Sequence, residues 1–109
     1  MTPGPPFDII RNIKTKAAIS ALAALAHESR LGIYRLLVKA GPAGLAAGDL
    51  SARLKTPPSS LSFHLKELSR AGLVSSRQDG RFVIYAADYR AMDALVAFLT
   101  ENCCAEGGC

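Results

Sequence analysis

Cysteine is missing from the first 102 of the 109 residues, and no apolar run approaches the length of a bilayer span. The first absence excludes a disulfide framework running through the fold, and the odd total of three cysteines argues the same way. The second excludes a membrane-spanning helix. The opening Thr2-Pro-Gly-Pro-Pro-Phe7 is not a signal peptide, so the expected location is the cytoplasm. There are no internal repeats, no phosphate-cradling glycine loop and no nucleophile set beside a base, so no enzyme is expected. The two histidines, His27 and His64, have no partner at metal-ligand spacing.

The apolar half of the composition (50%) excludes a wholly disordered chain, and 109 residues make room for one compact domain. A core this small gains from a partner subunit. The net charge of +4 is unevenly spread. Residues 51–81 carry Arg53, Lys55, Lys66, Arg70, Arg77 and Arg81 against Glu67 and Asp79, a net of +4. Residues 82–109 carry Arg90 against Asp88, Asp93, Glu101 and Glu106, a net of −3. A basic middle facing a polyanion releases counterions on binding, and an acidic end is kept away from it. A solvated charged face gives the same counts, so charge alone leaves both readings open.

Pro3, Pro5 and Pro6 make residues 1–13 a flexible arm. Residues 14–102 are expected to form the domain, and 103–109 a cysteine-rich tail. The Ala-rich segment from Thr15 to Ala26 predicts a first helix, with Ile19, Leu22 and Leu25 along one side. A second is expected from Glu28 to Ala40, its apolar face made of Leu31, Ile33, Tyr34, Leu36, Leu37 and Val38, stopped by Gly41-Pro42. A short third spans Ala46 to Leu54, and Thr56-Pro57-Pro58 turns the chain into a fourth, Ser59 to Ala71, which buries Leu61, Leu65 and Leu68. Gly72 suits the position just past its end. Leu73–Arg77 and Arg81–Tyr85, joined through Gln78-Asp79-Gly80, read as a hairpin. A last helix is capped by Asp88, carries Met92, Leu95, Val96 and Leu99 on one side, and ends near Asn102.

The fold class is therefore mainly α with a small β-hairpin, in the order α-α-α-α-β-β-α. A short helix, a tight turn, a second helix and a basic hairpin make the winged form of the helix-turn-helix, whose second helix enters the major groove of double-stranded DNA. The candidate DNA contacts on that helix are Ser59, Ser60, Ser62, Phe63, His64 and Lys66, interleaved with the buried leucines, and Arg77 and Arg81 flank the hairpin tip. His27, at a helix start, reads as a capping or surface residue.

Leu25-Ala-His-Glu-Ser-Arg-Leu31, Asp49-Leu50, Ser59-Ser-Leu-Ser-Phe-His-Leu-Lys-Glu-Leu68, Ala71-Gly-Leu-Val74 and Asp79-Gly-Arg-Phe-Val-Ile-Tyr85 together resemble the ArsR/SmtB family of metal-responsive repressors, over roughly residues 15–103. The resemblance implies a homodimer built from the first and last helices. It implies binding to an inverted-repeat operator, and an apo repressor that leaves DNA when its inducer binds. A symmetric dimer also matches a two-fold DNA site.

The resemblance further implies where inducers bind, and two of those places lack donors here. The stretch matching the family's third-helix thiol site, Gly44-Leu-Ala-Ala-Gly-Asp-Leu50, has no cysteine. The last helix offers Asp88 and Asp93 but no histidine for a zinc or nickel site. What remains is Asn102-Cys-Cys-Ala-Glu-Gly-Gly-Cys109, similar to the C-terminal arrangement of a subset of arsenite-responsive members. Thiolates of Cys103, Cys104 and Cys109 are soft donors suited to a three-coordinate As(III) or Sb(III) inducer. Adjacent helical side chains diverge by about 100°, so Cys103 and Cys104 converge only if the helix breaks, which Asn102 favours. Gly107-Gly108 lets the tail fold back. A thiol-redox input, or Cd(II), Zn(II) or Pb(II) as inducer, stays open beside this reading, as do inert cysteines.

Overall fold

The computed structural model describes residues 13–108, in which five helices and three strands are present. The expected arm over 1–13 lies outside these residues except for Ile13, which packs against the core. Cys109 also lies outside them.

Helix α1 (Thr15–Leu25) turns its smallest side chains inward: Ala18, Ala21 and Ala24 are buried. Their size lets the helix axis lie close to its neighbours. The expected line of larger residues is only partly inward. Leu25 packs against the core, but Ile19 and Leu22 are 61% and 41% exposed. Helix α2 (Glu28–Ala40) has the expected bounds, buries Ile33, Tyr34 and Leu37, and leaves Leu31 exposed. Gly41 stops it with φ +85°.

Strand β1 (Leu45–Ala46) leads into helix α3 (Ala47–Leu54), and helix α4 (Pro58–Arg70) follows after a short turn. Pro58 occupies the first turn of α4, where no backbone N–H is needed. Leu61, Leu65 and Leu68 are buried as their spacing predicts. Past the end of α4, Gly72 N donates to Ser69 O and Leu73 N to Leu68 O, both at 3.0 Å. This paired termination uses the left-handed φ of Gly72 (+79°) to satisfy two helix carbonyls.

Strands β2 (Val74–Asp79) and β3 (Phe82–Ala87) form the wing, antiparallel, with Asp79 opposite Phe82. The expected turn is thus displaced by one residue. Asp79 closes the ladder, and the two-residue loop is Gly80-Arg81, with Gly80 at φ +62°. The sheet also has a third strand that alternation did not predict. β1 pairs with β3 through Leu45–Tyr85 and Ala46–Ile84, giving the order β1-β3-β2. Gly44 makes this possible: at φ +74° its backbone approaches so closely that a Cβ would collide with the Tyr85 carbonyl oxygen.

Helix α5 (Tyr89–Thr100) starts where Asp88 Oδ1 accepts from Ala91 N at 3.1 Å. The Tyr89 hydroxyl donates to Val38 O at 2.9 Å and ties α5 to the end of α2. Ala94 and Leu95 are buried, whereas Val96 and Leu99 are 54% and 59% exposed. The helix ends at Thr100, two residues before the expected Asn102, and Asn102 then takes φ +58°. Ile33, Leu37, Leu50, Leu61, Leu65, Leu68 and Leu73 are fully buried and join three helices to the base of the wing. No helix among the described residues is long and apolar enough to cross a membrane.

Candidate nucleic-acid interface

The turn between α3 and α4 is held from both sides. Lys55 closes α3 in the left-handed conformation, Ser51 Oγ donates to Thr56 O at 2.6 Å, and Thr56 N donates to Ser51 O at 3.1 Å. These bonds and Pro57-Pro58 fix the angle at which α4 leaves α3. At about 100° per residue, the buried Leu61, His64, Leu65 and Leu68 occupy one side of α4, and Ser59, Ser62, Phe63 and Lys66 share an arc of about 100° on the other. Ser59, Ser60, Ser62, Phe63 and Lys66 are all exposed. The structure therefore leaves five of the six sequence-proposed residues of this helix exposed, four of them on one arc and Ser60 at its flank.

His64 is the exception, and its placement corrects the expectation that it faces DNA. It is only 9% exposed and belongs to the inner side of α4. Its Nδ1 accepts from Arg30 Nη1 at 3.3 Å, and its ring lies 4.8 Å from that of His27 and 5.5 Å from that of Phe63. Burial, then the nearby His27 and Arg30, lower its pKa below the ordinary 6.5. A buried ring accepting from a guanidinium on α2 ties α4 to that helix.

Arg30 is the residue that sequence reasoning missed. Its Nε donates to Ala24 O at 2.7 Å, satisfying a carbonyl at the end of α1, while Nη1 reaches α4. His27 caps α2 by accepting from Ser29 N at 3.2 Å, as its position suggested. Together these bonds tie α1, α2 and α4 at one point. The only sequence signal was the compact His27-Glu-Ser-Arg30 stretch between two helices.

On the wing, Arg81 is exposed within the tip loop. Arg77 is also exposed, but its Nη2 donates to Ala43 O at 2.9 Å, strapping β2 to the loop that precedes β1. The exposed side of α4 and the wing tip together offer hydroxyls, an aromatic ring, an ammonium and a guanidinium. These groups suit phosphates and base edges rather than a reaction.

The tail past α5 is a run of turns. Cys103 Sγ stands 3.5 Å from Cys104 Sγ, both residues are exposed, and Cys104 is disulfide-bonded with φ +62°. Among the described residues no group of three or more His, Cys, Asp or Glu side chains is arranged to hold a metal ion.

Comparison with known proteins agrees with this geometry. A family described as a helix-turn-helix domain matches residues 25–77, from the end of α1 into the wing. The transcriptional activator HlyU of Vibrio cholerae is 34% identical over 93% of this chain and 92% of its own length. Its structure superposes with a TM-score of 0.66, covering 83% of this chain and 95% of that one, and for reduced HlyU the TM-score is 0.63 at 33% identity, covering 83% and 92%. A protein of Halobacterium salinarum named as the arsenical resistance operon repressor ArsR is 38% identical over 75% of this chain and 63% of its own. An ArsR-like transcriptional regulator from Rhodococcus sp. RHA1 superposes with a TM-score of 0.70 at 32% identity, covering 84% of this chain and 82% of that one. These relatives are transcriptional regulators rather than enzymes. A shared helix-turn-helix and wing, with sequence identity sustained across nearly the whole chain, show that it belongs to the ArsR-like, HlyU-type family of winged helix-turn-helix transcriptional regulators.

Proposed function

We propose that the chain is a homodimeric repressor that binds an inverted-repeat operator and leaves it when As(III) or Sb(III) is captured by its C-terminal thiols. The observation that carries the inducer assignment is the sulfur pair beyond α5. Two thiolates bound at about 2.3 Å to one soft centre lie within about 4 Å of each other. Cys103 and Cys104 already have their sulfurs at 3.5 Å. Cys109, outside the described residues, would be the third donor of a soft trigonal site. Because Cys104 is disulfide-bonded here, capture requires reduction first.

Dimerisation through α1 and α5 is supported by Ile19, Leu22, Val96 and Leu99, large apolar groups exposed on the two helices that the family resemblance assigns to the interface. The tail begins three residues past α5, so ordering it around an inducer would disturb the helix pairing that sets the distance between the two α4 helices. A dimer with the wrong spacing binds the operator more weakly, by about tenfold to a hundredfold for a coupling of a couple of kcal/mol. The repressor sense follows the arsenical-resistance relative. HlyU is named an activator, and a reporter driven from the operator decides the sign.

The Cys104 disulfide specifically favours a second reading, in which oxidation of the tail is itself the signal. Fluorescence anisotropy on DNA from upstream of its own gene separates the two, with the protein kept in a thiol-free reductant. Release at near-stoichiometric arsenite, with zinc inert, and its loss in Cys103→Ser at unchanged operator affinity, is the expected result. Tight binding that ignores arsenite but is released by peroxide and restored by reductant would replace the metalloid with a redox input.

A further inference from the structure

Phe63 is 57% exposed on the helix proposed to enter DNA, at one edge of its outward arc. Leaving a ring this size in water forfeits the burial that stabilises aromatic side chains elsewhere. Its neighbours on the arc are Ser59, Ser62 and Lys66, and among the described residues its ring contact is edge-on with His64 at 5.5 Å. Unlike Ile19, Leu22, Val96 and Leu99, it lies on neither α1 nor α5, the helices proposed to pair in the dimer. The surface around it is basic and hydroxyl-bearing, which suits a polyanion rather than an apolar protein partner. In a major groove the one apolar feature on a base edge is the C5-methyl group of thymine, and a phenyl ring is among the side chains that contact it.

We propose that Phe63 is a specificity-determining residue that selects thymine in the operator through its C5-methyl group. The adjacent serines and Lys66 contact phosphates and less discriminating base edges. His64, pinned beneath by Arg30, fixes the register at which the neighbouring Phe63 is presented. This assignment rests on the operator-binding reading, and the experiment separates the two.

A duplex selected from random sequence by the reduced full-length protein would be remade with deoxyuridine replacing thymidine at one position at a time, which removes the methyl group alone. At one symmetric pair of positions the wild type should lose about fourfold in affinity per half-site, the equivalent of one methyl group returned to water. Phe63→Ala should bind the thymidine duplex correspondingly more weakly and no longer distinguish thymidine from deoxyuridine there, closing a double-mutant cycle. Phe63→Leu should restore part of the discrimination. An unchanged melting temperature for both variants is expected from the ring's exposure. Wild-type binding indifferent to every substitution, or a uridine penalty that persists in Phe63→Ala, overturns the assignment while leaving operator binding intact. Absence of any salt-sensitive DNA binding overturns the operator reading itself.

Discussion

Replacing Gly44 with alanine should separate the wing from the helix-turn-helix more effectively than any change at the wing tip. Two costs add at this position. A side chain at φ +74° incurs about 1–2 kcal/mol of backbone strain. The new Cβ would also meet the Tyr85 carbonyl oxygen, which is backbone and cannot swing aside. Relief requires β1 to withdraw from β3, forfeiting the Leu45–Tyr85 and Ala46–Ile84 pairing at about 1 kcal/mol net per hydrogen bond. A total of about 3 kcal/mol is a large share of the stability of a domain this size. At about 4–8 °C per kcal/mol, the melting temperature should fall by about 12–24 °C. Gly80→Ala is the internal control: its φ is +62°, but a Cβ there meets nothing within 4 Å. It should cost only the strain, about 1–2 kcal/mol. Thermal and urea unfolding of both variants check the comparison. If Gly44→Ala is no less stable than Gly80→Ala, close approach to Tyr85 is not what holds the third strand, and the account of the wing's attachment is wrong.

The remaining predictions concern α4. Folding lowers the His64 pKa, so the neutral ring is the form the fold prefers, and its contribution is full above pH 6.5. It is lost as pH falls below 6.5 and through the lower folded value, because a protonated ring cannot accept from Arg30. Thermal melts between pH 5 and 8 should show wild-type stability falling on acidification and a flatter profile for His64→Gln; identical slopes would refute the assignment. Lys66→Ala should leave the melting temperature unchanged, weaken binding to specific and random duplexes alike, and reduce the slope of log K against log salt by about 1. A loss confined to one operator sequence would make Lys66 a base contact instead.

Helix α2 was legible to the residue because apolar periodicity, a capping position at His27 and the Gly41-Pro42 stop all agree. Asp88 and the α4 leucines were legible for the same reason: each expresses a local preference that packing reinforces. β1 was not, since two residues carry no alternation and the pairing depends on a strand some 40 positions away. The turn at Gly80 was read one residue early because Asp-Gly marks a turn without saying which of its residues close the ladder. His64 was misplaced because a polar residue on an amphipathic helix is assigned outward by default. Only the arrival of Arg30 from another helix makes its burial tolerable.

Local pattern in the chain was enough for the class of machine: the order of helices and wing, the basic middle, the leucine side of α4 and the confinement of sulfur to the tail. These follow from periodicity, propensity and composition, which act over a few residues. The tertiary structure decided which groups meet. It turned the alanines of α1 inward and Ile19 and Leu22 outward, set His64 on the inner side of α4 and Phe63 on the outer, and placed two sulfurs 3.5 Å apart beyond a helix that stops at Thr100. Such meetings depend on where distant segments arrive in space, and no local pattern records that.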